Sequence, residues 1–270
     1  MVQGLKGQFS SHPSGTSDSA VSSPIPPVST FSIPNAAATP SEAASPIVDP
    51  IIRLQDVSKI YRNGSRALVN VNLSIRRGSF LFITGPSGSG KSTLLKLLYG
   101  EEQPSQGEVI VDNQPLTELR GDRLSLLRRR IGIVFQDYKL IPRRTVSENV
   151  AFVLWAQGFA RKEIYRRLQP ALKMVGLQHK ADCFPDELSG GEQQRVSIAR
   201  AIVGTPPILL ADEPTGNLDP DNSWQVIKIL KKLNSIGITV IVTTHDASLI
   251  RLSNHPVVQL RGGHLYSERF

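Results

Sequence analysis

Cysteine is nearly absent: the 270-residue chain has one, Cys183. A lone thiol excludes an internal disulfide framework and a cysteine-rich zinc site, and fits a structural residue in a reducing compartment. Long apolar runs are missing too. "ITVIVTT" and "PILLA" fall far short of the ~18–20 residues that span a bilayer, so the chain is not expected to cross one by itself. No repeat of solenoid length interrupts the sequence. What remains, 40% hydrophobic and 20% charged residues, is an ordinary globular composition able to bury a sizeable core in one or two domains.

The first 50 residues lack arginine and any helical or strand period, have few large apolar groups, and hold eleven Ser and eight Pro. Such a segment cannot bury enough surface to offset its ordering entropy, so residues 1–50 are expected to be a disordered tail. A transit peptide would be Arg-rich and acid-poor, and a secretory signal would need an apolar stretch after Lys6; neither pattern is present. Lys6 stands against Asp18, Glu42 and Asp49, so the tail carries −2 and the rest of the chain +10 of the net +8. A basic body suits nucleic acid or an anionic membrane surface, and charge alone does not choose.

From Ile51 the texture changes. "IIRLQDVSKIY" and "ALVNVNLSI" alternate like half-buried strands around an "RNGS" turn. "SFLFITG", "IGIVFQ", "PILLAD" and "ITVIVTT" are short, nearly continuous apolar strands of a sheet covered on both faces. Helical patterns separate most of them, which predicts an α/β core with a largely parallel sheet. "TVSENVAFVLWAQGF" and "RKEIYRRLQPALKMVGL" read as helices without an intervening strand, a helical subdomain inserted at about 140–190.

"GPSGSGKS", Gly85 to Ser92, follows a strand and opens a helix, as G-x-x-x-x-G-K-[ST] requires. Its glycines let the backbone wrap phosphate oxygens, Lys91 supplies a cation, and Ser92 offers a hydroxyl to Mg²⁺. "ILLADEP" ends a strand on two carboxylates: Asp212, placed for the Mg²⁺ shell, and Glu213, placed to orient an attacking water. His245 tips the strand of "VTTHD", and Gln136 ends "IGIVFQ". Either is uninformative alone; beside a phosphate loop both become candidates.

A second anion site lies in "ELSGGEQQRVSIARA". Ser189 and Glu192 have capping-box spacing, and Gly190 and Gly191 are expected to leave the first-turn N–H groups uncovered for negative charge.

Together these residues resemble the nucleotide-binding subunits of ATP-binding cassette (ABC) systems, from about Ile52 to Tyr266. The resemblance implies a P-loop ABC nucleotide-binding domain over 51–270: a mixed, mainly parallel sheet core with an antiparallel β subdomain and the inserted helical one. It makes Gly85, Pro86, Ser87, Gly88, Ser89, Gly90, Lys91, Ser92 and Thr93 the ATP-binding loop, with Tyr61 stacking on adenine. It makes Ser92, Gln136 and Asp212 the Mg²⁺ site and Glu213, Gln136 and His245 the catalytic set. Asn217, Leu218 and Asp219 become the D-loop. Ser189, Gly190, Gly191 and Glu192 become the signature, acting in trans on ATP held by a second copy in a head-to-tail homodimer. That arrangement explains why one chain would carry two anion sites.

"IGIVFQDYKLIPRRTVSENVAF" and "LSGGEQQRVSIARAIVGTPPILLADEPTGNLDP" are most similar to FtsE-type cell-division subunits. That likeness implies an Mg²⁺-dependent ATPase, peripheral on the cytoplasmic face of the cell membrane through an FtsX-like integral membrane subunit, with Asp137–Val150 cradling a partner helix and no nucleic acid bound. Arg143 and Arg144 in that segment are equally readable as a solvated turn. The nearest alternative is the ATPase of a lipoprotein-releasing or macrolide-type exporter. A soluble ABC ATPase acting on nucleic acid would usually carry two cassettes or coiled-coil or zinc insertions, and Glu213 and His245 argue against a module that never hydrolyses.

Overall fold

The computed structural model describes residues 50–268; the tail expected at 1–50 lies, but for Pro50, outside the described residues. Two sheets share the chain. The first orders its strands β2-β1-β4-β5, where β1 is Ile52–Ile60, β2 Arg66–Ile75, β4 Gln106–Val111 and β5 Gln114–Pro115. Every pairing in it is antiparallel. The "RNGS" turn closes on itself through Tyr61 N–H to the Ser65 carbonyl at 2.9 Å. The expected antiparallel subdomain is therefore present, with β4 and β5 as strands the sequence reading did not locate.

The second sheet orders β10-β9-β3-β8-β7-β6. Here β3 is Phe80–Thr84, β6 Ile131–Val134, β7 Ile208–Asp212, β8 Thr239–Thr244, β9 Val257–Arg261 and β10 His264–Glu268. From β9 to β6 all pairings are parallel; only β10 runs back against β9. Alternation along the strands divides the interior into two cores, because successive side chains leave a strand on opposite faces. Phe80, Phe82, Leu209, Ala211, Val240 and Val242 point into one core and Leu81, Ile83, Ile208, Leu210 and Ile241 into the other. This is the two-sided burial that the unbroken apolar runs predict.

Helix α1 (Lys91–Leu98) ends at Tyr99 and Gly100, the latter at φ 70°. Helix α2 (Gly121–Arg128) precedes β6. Between β6 and β7 stand α3 (Val146–Ala156), α4 (Arg161–Val175) and α5 (Gly190–Ile202), with short 3₁₀ turns and no strand. α3 starts at a Thr145–Glu148 capping box, and its buried Val146, Val150 and Leu154 pack with Ile164, Leu168 and Leu172 of α4. Cys183 is a free, partly buried thiol against that core, as a structural residue would be. α6 (Pro220–Ser235) and the short α7 (Ala247–Ser253) complete the set. Since β3, β7 and β8 run parallel, their carboxyl ends deliver Gly85, Asp212, Glu213 and His245 to one edge, where open α/β sheets bind ligands.

Candidate active site

Leaving β3, the chain turns through Gly85 (φ 149°), Gly88 (φ 75°) and Gly90 (φ 107°) before α1 begins. Glycine is required at the first and last of these. A Cβ on Gly85 would run into the Leu260 carbonyl, and one on Gly90 into the Ala67 carbonyl, at backbone angles that side chains disfavour. Lys91, 5% exposed at its side chain, folds back under the loop and donates to the carbonyls of Gly85 (2.8 Å) and Pro86 (3.2 Å). The Ser89 hydroxyl is buried in the same loop without a hydrogen-bond partner, an unmet polar group that a phosphate oxygen would satisfy.

Two carboxylates meet this loop. Ser92 Oγ donates to Asp212 Oδ1 at 3.3 Å, and the buried Thr243 hydroxyl donates to the same oxygen at 2.7 Å. The Glu213 amide reaches Thr243 Oγ1 at 3.0 Å and the Thr243 carbonyl at 3.1 Å, fixing Glu213 at φ 44°. A glutamate is uncommon in that region, so its surroundings must hold it there. Glu213 Oε1 lies 3.3 Å from Lys91 Nζ, and its Oε2 lies 3.0 Å from His245 Nδ1. Asp246 caps α7 through the amides of Ser248 and Leu249, which fixes the chain just after His245. A hydroxyl, two carboxylates, an imidazole and an ammonium thus converge from α1, β7 and β8. The hydroxyl–carboxylate pair Ser92–Asp212 is the hard oxygen donor set that suits Mg²⁺.

Gln136 is exposed and lies against the turn at Gly216 and Asn217: Asn217 Nδ2 donates to its carbonyl at 3.4 Å, and a Cβ on Gly216 would sit 3.2 Å from its Nε2. Among the described residues it makes no hydrogen bond to Ser92 or Asp212. Leu218 folds back to Thr215, and Asp219 caps α6 through the Asn222 amide at 2.9 Å. The Asp219 carboxyl is held below its usual range by that bond and by the Asn222 side chain. Tyr61, at the end of β1, bonds Thr93 Oγ1 at 3.2 Å, so the aromatic ring stands at the margin of the phosphate loop beside a cleft formed with Arg62 and Glu102.

The start of α5 has the expected cap. The Glu192 amide donates to Ser189 Oγ at 3.3 Å, and the Ser189 amide to Glu192 Oε2 at 2.9 Å. Those bonds hold the Glu192 carboxyl below its usual range. None of them reaches the phosphate loop. One expectation is corrected: Gly191 is not open. It is buried under Asn222 of α6, whose amide a Cβ would overlap, so its missing side chain serves a close helix approach, and Gly190 carries the exposed part of the turn.

Sequence reading missed Thr243, whose hydroxyl donates to the Asp212 carboxylate and accepts from the Glu213 amide, and Gln194, fully buried, which donates to the Pro214 carbonyl at 2.8 Å and ties α5 to the loop after β7. The first sits two residues before a noted histidine; the second stands between Gln193 and Arg195 near the start of a capped helix. Neither signal is decisive without the fold. Arg144 pairs with Glu148 at 3.1 Å and Arg143 is exposed, the solvated-turn reading of that segment.

Residues 68–216 match the family model described as ABC transporter. The chain is 47% identical over 213 residues to the cell division ATP-binding protein FtsE of Streptococcus pneumoniae, covering 79% of this chain and 93% of the relative. It is 46% identical over 216 residues to FtsE of Escherichia coli K12, covering 80% and 97%. Among solved structures it matches a dimeric ATP-binding cassette in a post-hydrolysis state with ADP and Pi, at 41% identity and TM-score 0.73, covering 81% of this chain and 99% of that one.

Proposed function

This chain belongs to the ABC transporter family, and we propose on that premise that it is the ATP-hydrolysing subunit of an FtsE-type cell-division complex. ATP closes two copies head to tail, and hydrolysis reopens them. The observation that carries this reading is the convergence of Lys91, Glu213, His245, Ser92 and Asp212 at one sheet edge.

In the proposed cycle the backbone of Gly85–Ser92 wraps the phosphates, Lys91 leaves Glu213 for the β and γ oxygens, and Tyr61 stacks on adenine. Ser92 and Asp212, with Gln136 brought over from the D-loop, would hold Mg²⁺, which supplies charge neutralisation on the phosphates. Glu213, freed from Lys91, takes the water's proton, and His245 steadies that carboxylate and the γ-phosphate side. Ser189 and Gly190 of the second copy close over the γ-phosphate, and Asn217 to Asp219 lie at the junction between copies. Closure follows because γ-phosphate is gripped from both sides, and its loss removes the preference for the closed state. The relatives' name and the dimeric cassette among the solved structures support this reading.

No helix among the described residues is long and apolar enough to cross a membrane, so attachment is assigned to an FtsX-like integral membrane subunit on the cytoplasmic face. Its seat is a cleft of about 390 Å³ between α3, β6 and α5, lined by Arg128, Lys139, Ile141, Phe152 and Arg200; Phe152 is 47% exposed. The test is twofold. The purified chain should hydrolyse ATP only with Mg²⁺, and co-expression with the partner should move it to the membrane fraction, from which Phe152→Asp releases it with ATP binding intact. Metal-independent hydrolysis, or equal membrane recovery with and without the partner, would overturn the corresponding half.

A further inference from the structure

The loop from β6 to α3 contains two consecutive non-glycine residues in the left-handed region, Tyr138 (φ 57°) and Lys139 (φ 51°). Side chains there crowd the backbone, so such a pair persists only where its surroundings over-determine it, and such strain gathers at switch segments. Two clamps do so here. At one end Asn149 of α3, fully buried, accepts from the Ile141 amide and donates to the carbonyls of Ile141, Arg144 and Thr145. At the other, Arg200 in the last turn of α5 donates Nη2 to the Tyr138 carbonyl at 2.7 Å and Nη1 to the Lys139 carbonyl at 2.5 Å.

The strained turn in turn touches the start of that same helix. The Tyr138 hydroxyl stands where a Cβ on Gly190 would be 3.1 Å away, and burial pushes its pKa up. Arg200 and Gly190 are the two ends of α5, and the Tyr138–Lys139 turn spans them on the outside. We infer that Arg200 is a positioning residue: by pinning the Tyr138–Lys139 turn it fixes where the Gly190 end of α5 stands. The inference rests on the proposed reading that this end completes the ATP site of a second copy. Its added content is directional. Arg200 and Lys139 also line the cleft assigned to the membrane subunit, so whatever seats there presses on the same guanidinium that sets the Gly190 end.

The clamp does not touch the chain's own phosphate loop, which separates its effect from nucleotide binding in cis. In a Glu213→Gln background of the full chain, Arg200→Ala should raise the ATP concentration for half-maximal dimerisation at least tenfold while leaving ADP affinity within twofold. Glycine adopts positive φ without cost, so adding Lys139→Gly should recover most of the loss. A packing role for Arg200 would gain nothing from that change, because the Lys139 side chain is 60% exposed and meets Asp137 at the surface. Arg200→Lys keeps the charge with a single point donor, so it should fall between parent and alanine, and it stands in if the alanine variant does not fold. Hydrogen exchange at the amides of residues 138–140 and 190–192 in nucleotide-free monomer should quicken in Arg200→Ala and Arg200→Lys and slow again with Lys139→Gly. Parental dimerisation in both Arg200 variants, an equal loss of ADP affinity, or failure of Lys139→Gly to rescue would overturn the inference. If the Glu213→Gln parent stays monomeric while exchange changes as described, the dimer reading fails and the clamp stands.

Discussion

Neutralising Glu213 should tighten ATP binding as it stops hydrolysis. Lys91 shares its ammonium among the Gly85 and Pro86 carbonyls and Glu213 Oε1, the last at 3.3 Å, with side chains 5% and 18% exposed. ATP must take Lys91 from Glu213. A hydrogen bond to a charged group is worth about 1.5–3 kcal/mol net and roughly twice its neutral counterpart, so Glu213→Gln lowers the cost of release by about 1 kcal/mol. Burial keeps solvent screening of the pair small, and removing one negative charge beside the triphosphate acts in the same direction. Fivefold to tenfold tighter ATP binding is therefore expected, about 1.4 kcal/mol being tenfold. The nucleotide-free variant should melt about 2–4 °C lower, having lost the same increment of pairing. Calorimetric titration of Mg-ATP in a Ser189→Arg background keeps dimer closure out of the measurement. An unchanged or weaker affinity with an unchanged melting point would refute the claim that Glu213 competes for Lys91.

Ser189→Arg by itself should abolish turnover while monomer ATP affinity stays within about twofold of the parent; a loss as large as that of Lys91→Ala would remove the trans assignment. Gly90→Ala should cost more than the roughly 1–2 kcal/mol of a left-handed side chain, because the Ala67 carbonyl is backbone and cannot yield. Thermal melts and nucleotide titration should both show the loss, and a variant that binds normally contradicts the close approach. His255 stacks on Phe80 with centroids 4.3 Å apart, and burial first, then Lys231, holds its pKa below 6.5. The folded state therefore resists its protonation, and the unfolded state binds more protons as pH falls past 6.5. Stability from this group is full above 6.5 and fades as pH drops through the folded value, so His255→Phe should flatten the stability profile between pH 6.5 and 5; an unaltered profile would contradict it.

What the sequence made legible was what chemistry confines to a few adjacent residues. "GPSGSGKS" needs only its own glycines and lysine to announce a phosphate loop, and the Ser189–Glu192 box is local by construction. The unbroken apolar strands revealed two-sided burial because alternation has nothing polar to show. The hairpin β9–β10 and strands β4 and β5 went unplaced, since short stretches such as Gln114–Pro115 have no period to read. Gly191 was misjudged because its neighbour Asn222 is on another helix. Thr243, Gln194 and Arg200 were missed for the same reason: each acts on a backbone or carboxylate group far off in the chain, and only the parallel sheet and the packing of α5 against it bring them together.

The central claim is that two copies each supply half of the pocket for one terminal phosphate, and sedimentation of Glu213→Gln with saturating Mg-ATP tests it most directly. The account predicts a dimer that forms with ATP, not with ADP, and that Ser189→Arg abolishes. A protein that stays monomeric under those conditions, with its membrane subunit present, would contradict it.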